Sequence, residues 1–94
     1  MSTLHLAVKR VYFDSIKAGC KGEEYRLVTP YWTKRIEGRV YDTICVTLGY
    51  PSHADVERFM HFPWIGYKRK RITHPEFGPE EVEVYAISLE DEVE

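Results

Sequence analysis

The chain is poor in the residues that build stapled or metal-dependent domains. Cys20 and Cys45 are its only cysteines. Two cysteines without close spacing make neither a disulfide framework nor a zinc site, and a reduced, cytosolic setting is expected. His5, His53, His61 and His74 show no ligand spacing with one another or with the cysteines, so no metal is expected. The phosphate-binding loop, the dinucleotide fingerprint, HExxH and GxSxG are all missing, and no cofactor is expected. No apolar stretch approaches the roughly 20 residues that cross a bilayer. The first residues, MSTLHLAVKRVYF, lack the apolar run of a secretory signal, so no membrane partner is expected. There is no internal repeat, low-complexity tract or interdomain linker.

What is present is aromatic and unevenly charged. Seven Tyr and two Trp stand among 94 residues, and their apolar bodies with polar tips suit cores, interfaces and base-stacking surfaces alike. All thirteen Lys and Arg fall at or before Arg71, so residues 1–75 carry +6 and residues 76–94 carry −8. The asymmetry permits a polyanion partner and equally fits a tail that keeps the domain dispersed. The length argues for one domain, expected over residues 1–90, with 91–94 as an acidic tail.

The periodicities predict an α+β order. Strands are expected over 3–8, 23–28, 41–50, 56–62, 67–73 and 82–89, and helices over 9–19 and 29–39. Val8, Val11, Tyr12 and Ile16 mark the apolar side of the first helix, and Gly19 stops it. Thr29 as N-cap and Pro30 at the first helical position open the second. Val82, Val84 and Ala86 alternate with Glu83, Tyr85 and Ile87 in the last strand. This order predicts a curved sheet or small β-barrel carrying two short helices.

The stretch GCKGEEYR, residues 19–26, packs several charges into the entry of a strand. Alternation puts Glu24 and Arg26 on one face and Glu23, Tyr25 and Leu27 on the other. Tyr25 and Leu27 read as core, so Glu24 and Arg26 are expected to face outward or to line a cavity. Lys21 precedes them on a glycine-flanked turn able to bend it over the same face. Such a cluster can bind an anion, orient a base edge or move a proton, or it can be an exposed ion-pair network of little energetic worth.

GCKGEEYR resembles the G-x-K-x-x-E-x-R signature of the ASCH domain family, which is related to the PUA RNA-binding barrel. The likeness continues through TLHLAVKRVYFDSIKAGCKGEEYRLVTPYWTKRI, VTLGY, ITHPEFG and VEVYAISL, as in small phage and bacterial members. It implies a barrel with helices beside it and a cleft lined by the signature positions, here Lys21, Glu24 and Arg26. It implies RNA or a modified nucleoside as partner. Some members hydrolyse N4-acetylcytidine with a threonine nucleophile activated by the signature lysine; this chain has Glu24 at that position. A carboxylate is not a lysine-activated hydroxyl, so an enzyme here would use Glu24 to activate water. Other members are linked to ribonuclease activity or to binding alone. Leu48 also departs from the polar residue that close relatives carry before "GY".

Other candidates surround this cluster. Tyr31 offers a stacking face, while Trp32 reads as core or its rim; Lys34 and Arg35 follow one turn on and could reach a phosphate. Lys68, Arg69, Lys70 and Arg71 form the densest basic run, either a phosphate-tracking edge or a strand edge guarded by charge. His74 and Glu76 sit in a rigid loop and can supply acid–base groups if it closes over the cleft. Cys20 reads as a buried small hydrophobe. The expectation is therefore a binder of RNA or a nucleoside, with a hydrolase acting on RNA or an acylated nucleoside as the alternative.

Overall fold

A computed structural model describes residues 2–52, 54–90 and 92. Six strands and two helices follow in the order β1 (Thr3–Val8), α1 (Arg10–Lys17), β2 (Glu23–Leu27), α2 (Pro30–Ile36), β3 (Thr43–Leu48), β4 (Phe59–Pro63), β5 (Tyr67–Ile72) and β6 (Val82–Ser88). The α+β class and the two short helices are as the sequence predicts. Strand pairing among the described residues does not close a barrel. It makes two three-stranded sheets, β1-β3-β4 and β2-β6-β5, with β3 and β6 central. β1 runs parallel to β3, and every other pair is antiparallel.

Local chemistry sets the boundaries. The Thr29 hydroxyl accepts from the Trp32 amide at 3.4 Å, which caps α2 with Pro30 at its start. α1 ends in a Schellman turn: the Cys20 amide reaches the Ser15 carbonyl at 2.9 Å and the Gly19 amide the Ile16 carbonyl at 3.0 Å. That turn requires the left-handed φ of +79° at Gly19. The fourth strand begins at Phe59, because residues Val56–Arg58 form a 3-10 turn instead of its expected first half.

The core is contributed by both sheets and both helices. Leu6, Ile36, Ile44, Val46, Tyr85 and Ile87 are wholly buried within one apolar cluster, each side chain contributing about 1.5–3 kcal/mol through removal from water. α1 presents Phe13 and Ile16 to this core, whereas Val11, expected on its apolar side, is exposed. β6 does not alternate between core and solvent. Val84, Tyr85, Ala86 and Ile87 are all buried, because the strand is central in its sheet and covered on both faces. Cys45 is buried in β3; Cys20, read from sequence as buried, is exposed at the end of the Schellman turn. No helix among the described residues is long and apolar enough to cross a membrane. Asp91, Val93 and Glu94 lie outside the described residues, so most of the acidic tail does too.

Candidate functional site at the seam between the sheets

The site grows out of the turn that ends α1. The Schellman reversal, extended by a Lys21 amide bond to the Ser15 carbonyl at 3.2 Å, turns the chain back on itself immediately before β2. Lys21 Nζ then meets Glu24 Oε1 at 2.9 Å, and Arg26 Nη2 meets Glu24 Oε2 at 3.1 Å. These pairs are not an exposed network. The Glu24 side chain is 7% exposed, with Lys21 at 17% and Arg26 at 19%.

Cross-strand register explains the burial. Glu24 stands opposite Ile87, and Arg26 opposite Tyr85. Both Ile87 and Tyr85 belong to the core cluster, so Glu24 and Arg26 share the sheet's inward face. Tyr25 and Leu27, expected in the core, are half-buried on the other face. β2 and β1 are edge strands of different sheets, with no backbone ladder between them. Arg26 Nη2 spans this seam by donating to the Ala7 carbonyl at 3.0 Å, and the guanidinium lies 5.1 Å from the Trp32 ring. Its Nε is buried without a hydrogen-bond partner among the described residues. An orphaned donor of this kind costs about 1–3 kcal/mol.

A cavity of about 210 Å³ opens at the seam. Lys21, Glu24 and Arg26 line it from β2 and its approach, Lys9 and Tyr12 from the start of α1, and His74 and Glu76 from the loop after β5. Lys21 Nζ sits 4.5 Å from the Tyr12 ring centre and 5.4 Å from that of Tyr25, an arrangement that attracts the ammonium to both ring faces. Lys9 Nζ binds the Glu76 oxygens at 2.8 and 3.0 Å, and the Tyr12 hydroxyl donates to Glu76 at 3.3 Å. The His74 Nδ1 accepts the Glu76 amide at 3.1 Å, capping a 3-10 turn at Pro75–Phe77. Three cations face two carboxylates, so the lining carries +1 with His74 neutral.

Lys9, Tyr12 and Tyr25 line the cavity without having been expected at this site from sequence, whereas His74 was named with Glu76. Lys9 and Tyr12 stand three apart at a strand-to-helix junction, which puts them on one side of the first turn; that spacing was the available signal.

Glu76 and Lys9 latch the loop to α1. The hydrogen bond from Lys9 holds the Glu76 carboxyl below its ordinary value, and the same bond raises Lys9. Burial and the nearby Glu76 charge push the Tyr12 hydroxyl up. Because Glu76 is lowered on folding, its contribution is present above the ordinary carboxylate range and is lost as pH falls through its folded value. Because Lys9 is raised, its contribution is complete below the ordinary lysine range and is lost as pH rises through its folded value. The latch is therefore complete at neutral pH. Glu76→Gln is expected to lower the exchange protection of the Phe77 amide severalfold at pH 7, and the difference from wild type is expected to shrink as pH falls through the folded value of Glu76, read by hydrogen exchange corrected for intrinsic rates. Equal protection at pH 7 would contradict the latch.

The remaining candidates lie elsewhere. Tyr31 is 56% exposed on α2, with the Arg35 guanidinium 3.4 Å from its ring centre. Lys68, Arg69, Lys70 and Arg71 are on β5, separated from β2 by the whole of β6. Three of the four are ion-paired: Arg69 with Glu83 at 2.8 Å, Lys70 with Glu23 at 2.8 Å and Arg71 with Glu81 at 2.7 Å. Their partners hold Arg69, Lys70 and Arg71 above their ordinary values, chiefly through these hydrogen bonds. Glu76, Glu81 and Glu83 of the acidic C-terminal stretch thus pair with Lys9, Arg71 and Arg69 of the basic body. Among the described residues no cluster of His, Cys, Asp and Glu is arranged to hold a metal ion. No family model, curated protein or solved structure matches the chain.

Proposed function

We propose that the chain is an ASCH-type domain, its two sheets an open form of the PUA-like barrel, and that it binds one nucleobase or nucleoside in the seam cavity. The observation that carries this reading is the convergence of Lys21, Glu24 and Arg26 on that cavity with Glu24 almost wholly buried. Both Glu24 oxygens are already paired with a cation, Oε1 through a hydrogen bond from Lys21 and Oε2 through the Arg26 ion pair. Its part is therefore to position Lys21 and Arg26 as donors for a base carbonyl or ring nitrogen, while Tyr12, Tyr25 and His74 supply aromatic walls. At about 210 Å³ the cavity is smaller than the roughly 300–1,000 Å³ of drug-sized sites, which suits a base better than a folded strand. On β5 only Lys68 makes no ion pair among the described residues, so the run at 68–71 adds little backbone affinity.

Calorimetric titration of nucleosides tests the reading. Lys21→Ala is expected to weaken binding about 10- to 150-fold, the worth of a charged hydrogen bond; Glu24 keeps Arg26 as a partner in this variant, and circular dichroism checks that the titrated protein is folded. Unchanged affinity would contradict it.

A hydrolase acting on an acylated nucleoside or on RNA is the second reading. It is favoured by Glu76, a second carboxylate that reaches the same cavity from the loop and, at 35% exposure, meets solvent. Water would be the nucleophile, since Glu24 stands where the amidohydrolase members carry threonine. Cytidine released from N4-acetylcytidine by the wild type but not by Lys21→Ala would decide for this reading; unchanged N4-acetylcytidine would decide against amide hydrolysis.

A further inference from the structure

The seam cavity has a neighbour. A groove of about 510 Å³ lies on the other side of Ala7 and Arg26, which line both depressions. Its walls are aromatic: Tyr31 and Trp32 from α2, Tyr50 from beyond β3, and Phe59 from β4. His5 and Thr47 add polar edges.

We propose that this groove is a second stacking subsite, so that the ligand is at least a dinucleotide of single-stranded RNA, with one base in the cavity and its neighbour against Tyr50 and Tyr31. The inference rests on the nucleobase reading above and extends it. Continuity supports it first. Arg26 is common to both walls, which places a guanidinium where the phosphodiester joining two bases would pass, and its charge suits that group.

The state of the rings supports it next. Tyr50 is 96% exposed and Tyr31 56%, in a chain that buries most of its large apolar side chains. Tyr31 is also held in place. Arg35 covers one face at 3.4 Å and donates to the Tyr31 carbonyl at 2.9 Å, and Trp32 meets the ring edge-on at 5.0 Å. A ring already fixed on one side loses little freedom when a base stacks on the other.

Polar chemistry selects the occupant. The Thr47 hydroxyl spends its proton on the Gly49 carbonyl at 2.7 Å, leaving its oxygen to accept from a base amino group. Flat aromatic walls with polar points between them fit a planar, polar-edged ring better than an aliphatic side chain.

The test compares four probes for each of adenosine, guanosine, cytidine and uridine: the nucleoside, its 3′- and 5′-monophosphates, and its homodinucleotide. For the base that the cavity accepts, the dinucleotide is expected to bind about 5- to 150-fold more tightly than either monophosphate, the usual yield of one base–aromatic stack. Tyr50→Ala, at a position too exposed to matter for folding, should abolish that gain while leaving nucleoside affinity unchanged. A dinucleotide no tighter than the monophosphates, or a gain that survives both Tyr50→Ala and Phe59→Ala, overturns the second subsite alone. No binding by any probe overturns the nucleobase reading together with it.

Discussion

Glu24→Ala is expected to cost about 3–5 kcal/mol of folding stability, the usual effect of deleting one partner of a buried ion pair. The magnitude follows from what would be left behind. Lys21 and Arg26 are mostly buried, and Glu24 supplies a carboxylate oxygen to each. Its removal leaves two cations in a poorly solvated seam, where the Ala7 carbonyl and the tyrosine faces compensate only in part. A domain of this size has a total stability of about 5–15 kcal/mol, so the loss takes a large share of it. Glu24→Gln keeps the volume and an acceptor and should lose less. Urea denaturation measures both. A loss below about 1 kcal/mol for Glu24→Ala would place the pair among ordinary surface salt bridges and contradict the role given to it.

The second large effect is expected at Tyr85. Its ring is wholly buried at the centre of β6, edge-on to Tyr67 with ring centres 5.5 Å apart. Its hydroxyl ties the sheet to α2 and the residue after it, through Thr33 at 2.8 Å and through the Glu37 carboxylate. Burial and the Glu37 bond raise the Tyr85 hydroxyl above its ordinary value, so it stays protonated and able to donate at neutral pH. Tyr85→Ala should cost about 3–5 kcal/mol, as other aromatic-to-alanine changes in cores do. Tyr85→Phe keeps the ring and should cost about 0.5–1.5 kcal/mol, the net worth of a hydrogen bond. Thermal unfolding of the two variants separates packing from hydrogen bonding. Equal losses would mean that the hydroxyl, not the ring, holds the sheet to the helix.

Local signals in the chain were legible, and long-range ones were not. Thr29 and Pro30 announce α2 because capping involves atoms only three residues apart, and the Gly19 stop is local in the same way. On β2, Glu24 and Arg26 line a cavity, one of the two placements expected of them, whereas Tyr25 and Leu27 are half-buried and not core. Tyr25 and Leu27 look like core by apolarity, and nothing in residues 23–27 reveals that the strand lies on an edge whose seam admits a compensated Lys–Glu–Arg cluster. β6 hid its double burial for a related reason: centrality in a sheet depends on β2 and β5, far away in sequence. The basic run on β5 looked free because its partners are remote. Glu23, which pairs with Lys70, lies 47 residues away. Lys21, Glu24, Arg26 and Glu76 were all named from sequence as site candidates, and the fold brings them to one cavity. The exposed aromatic groove was missed, because Tyr31, Tyr50 and Phe59 meet only in the folded chain.

The measurement that bears most directly on the seam as a ligand site is a nuclear magnetic resonance titration of the isotope-labelled protein with nucleosides. Amide shifts are predicted to move at Ala7–Lys9, Tyr12, Lys21–Arg26 and His74–Phe77, the segments that line the cavity, while β5 stays still. Shifts confined to Lys68–Arg71, or no shifts at millimolar nucleoside, would contradict a base-binding site built on Lys21, Glu24 and Arg26.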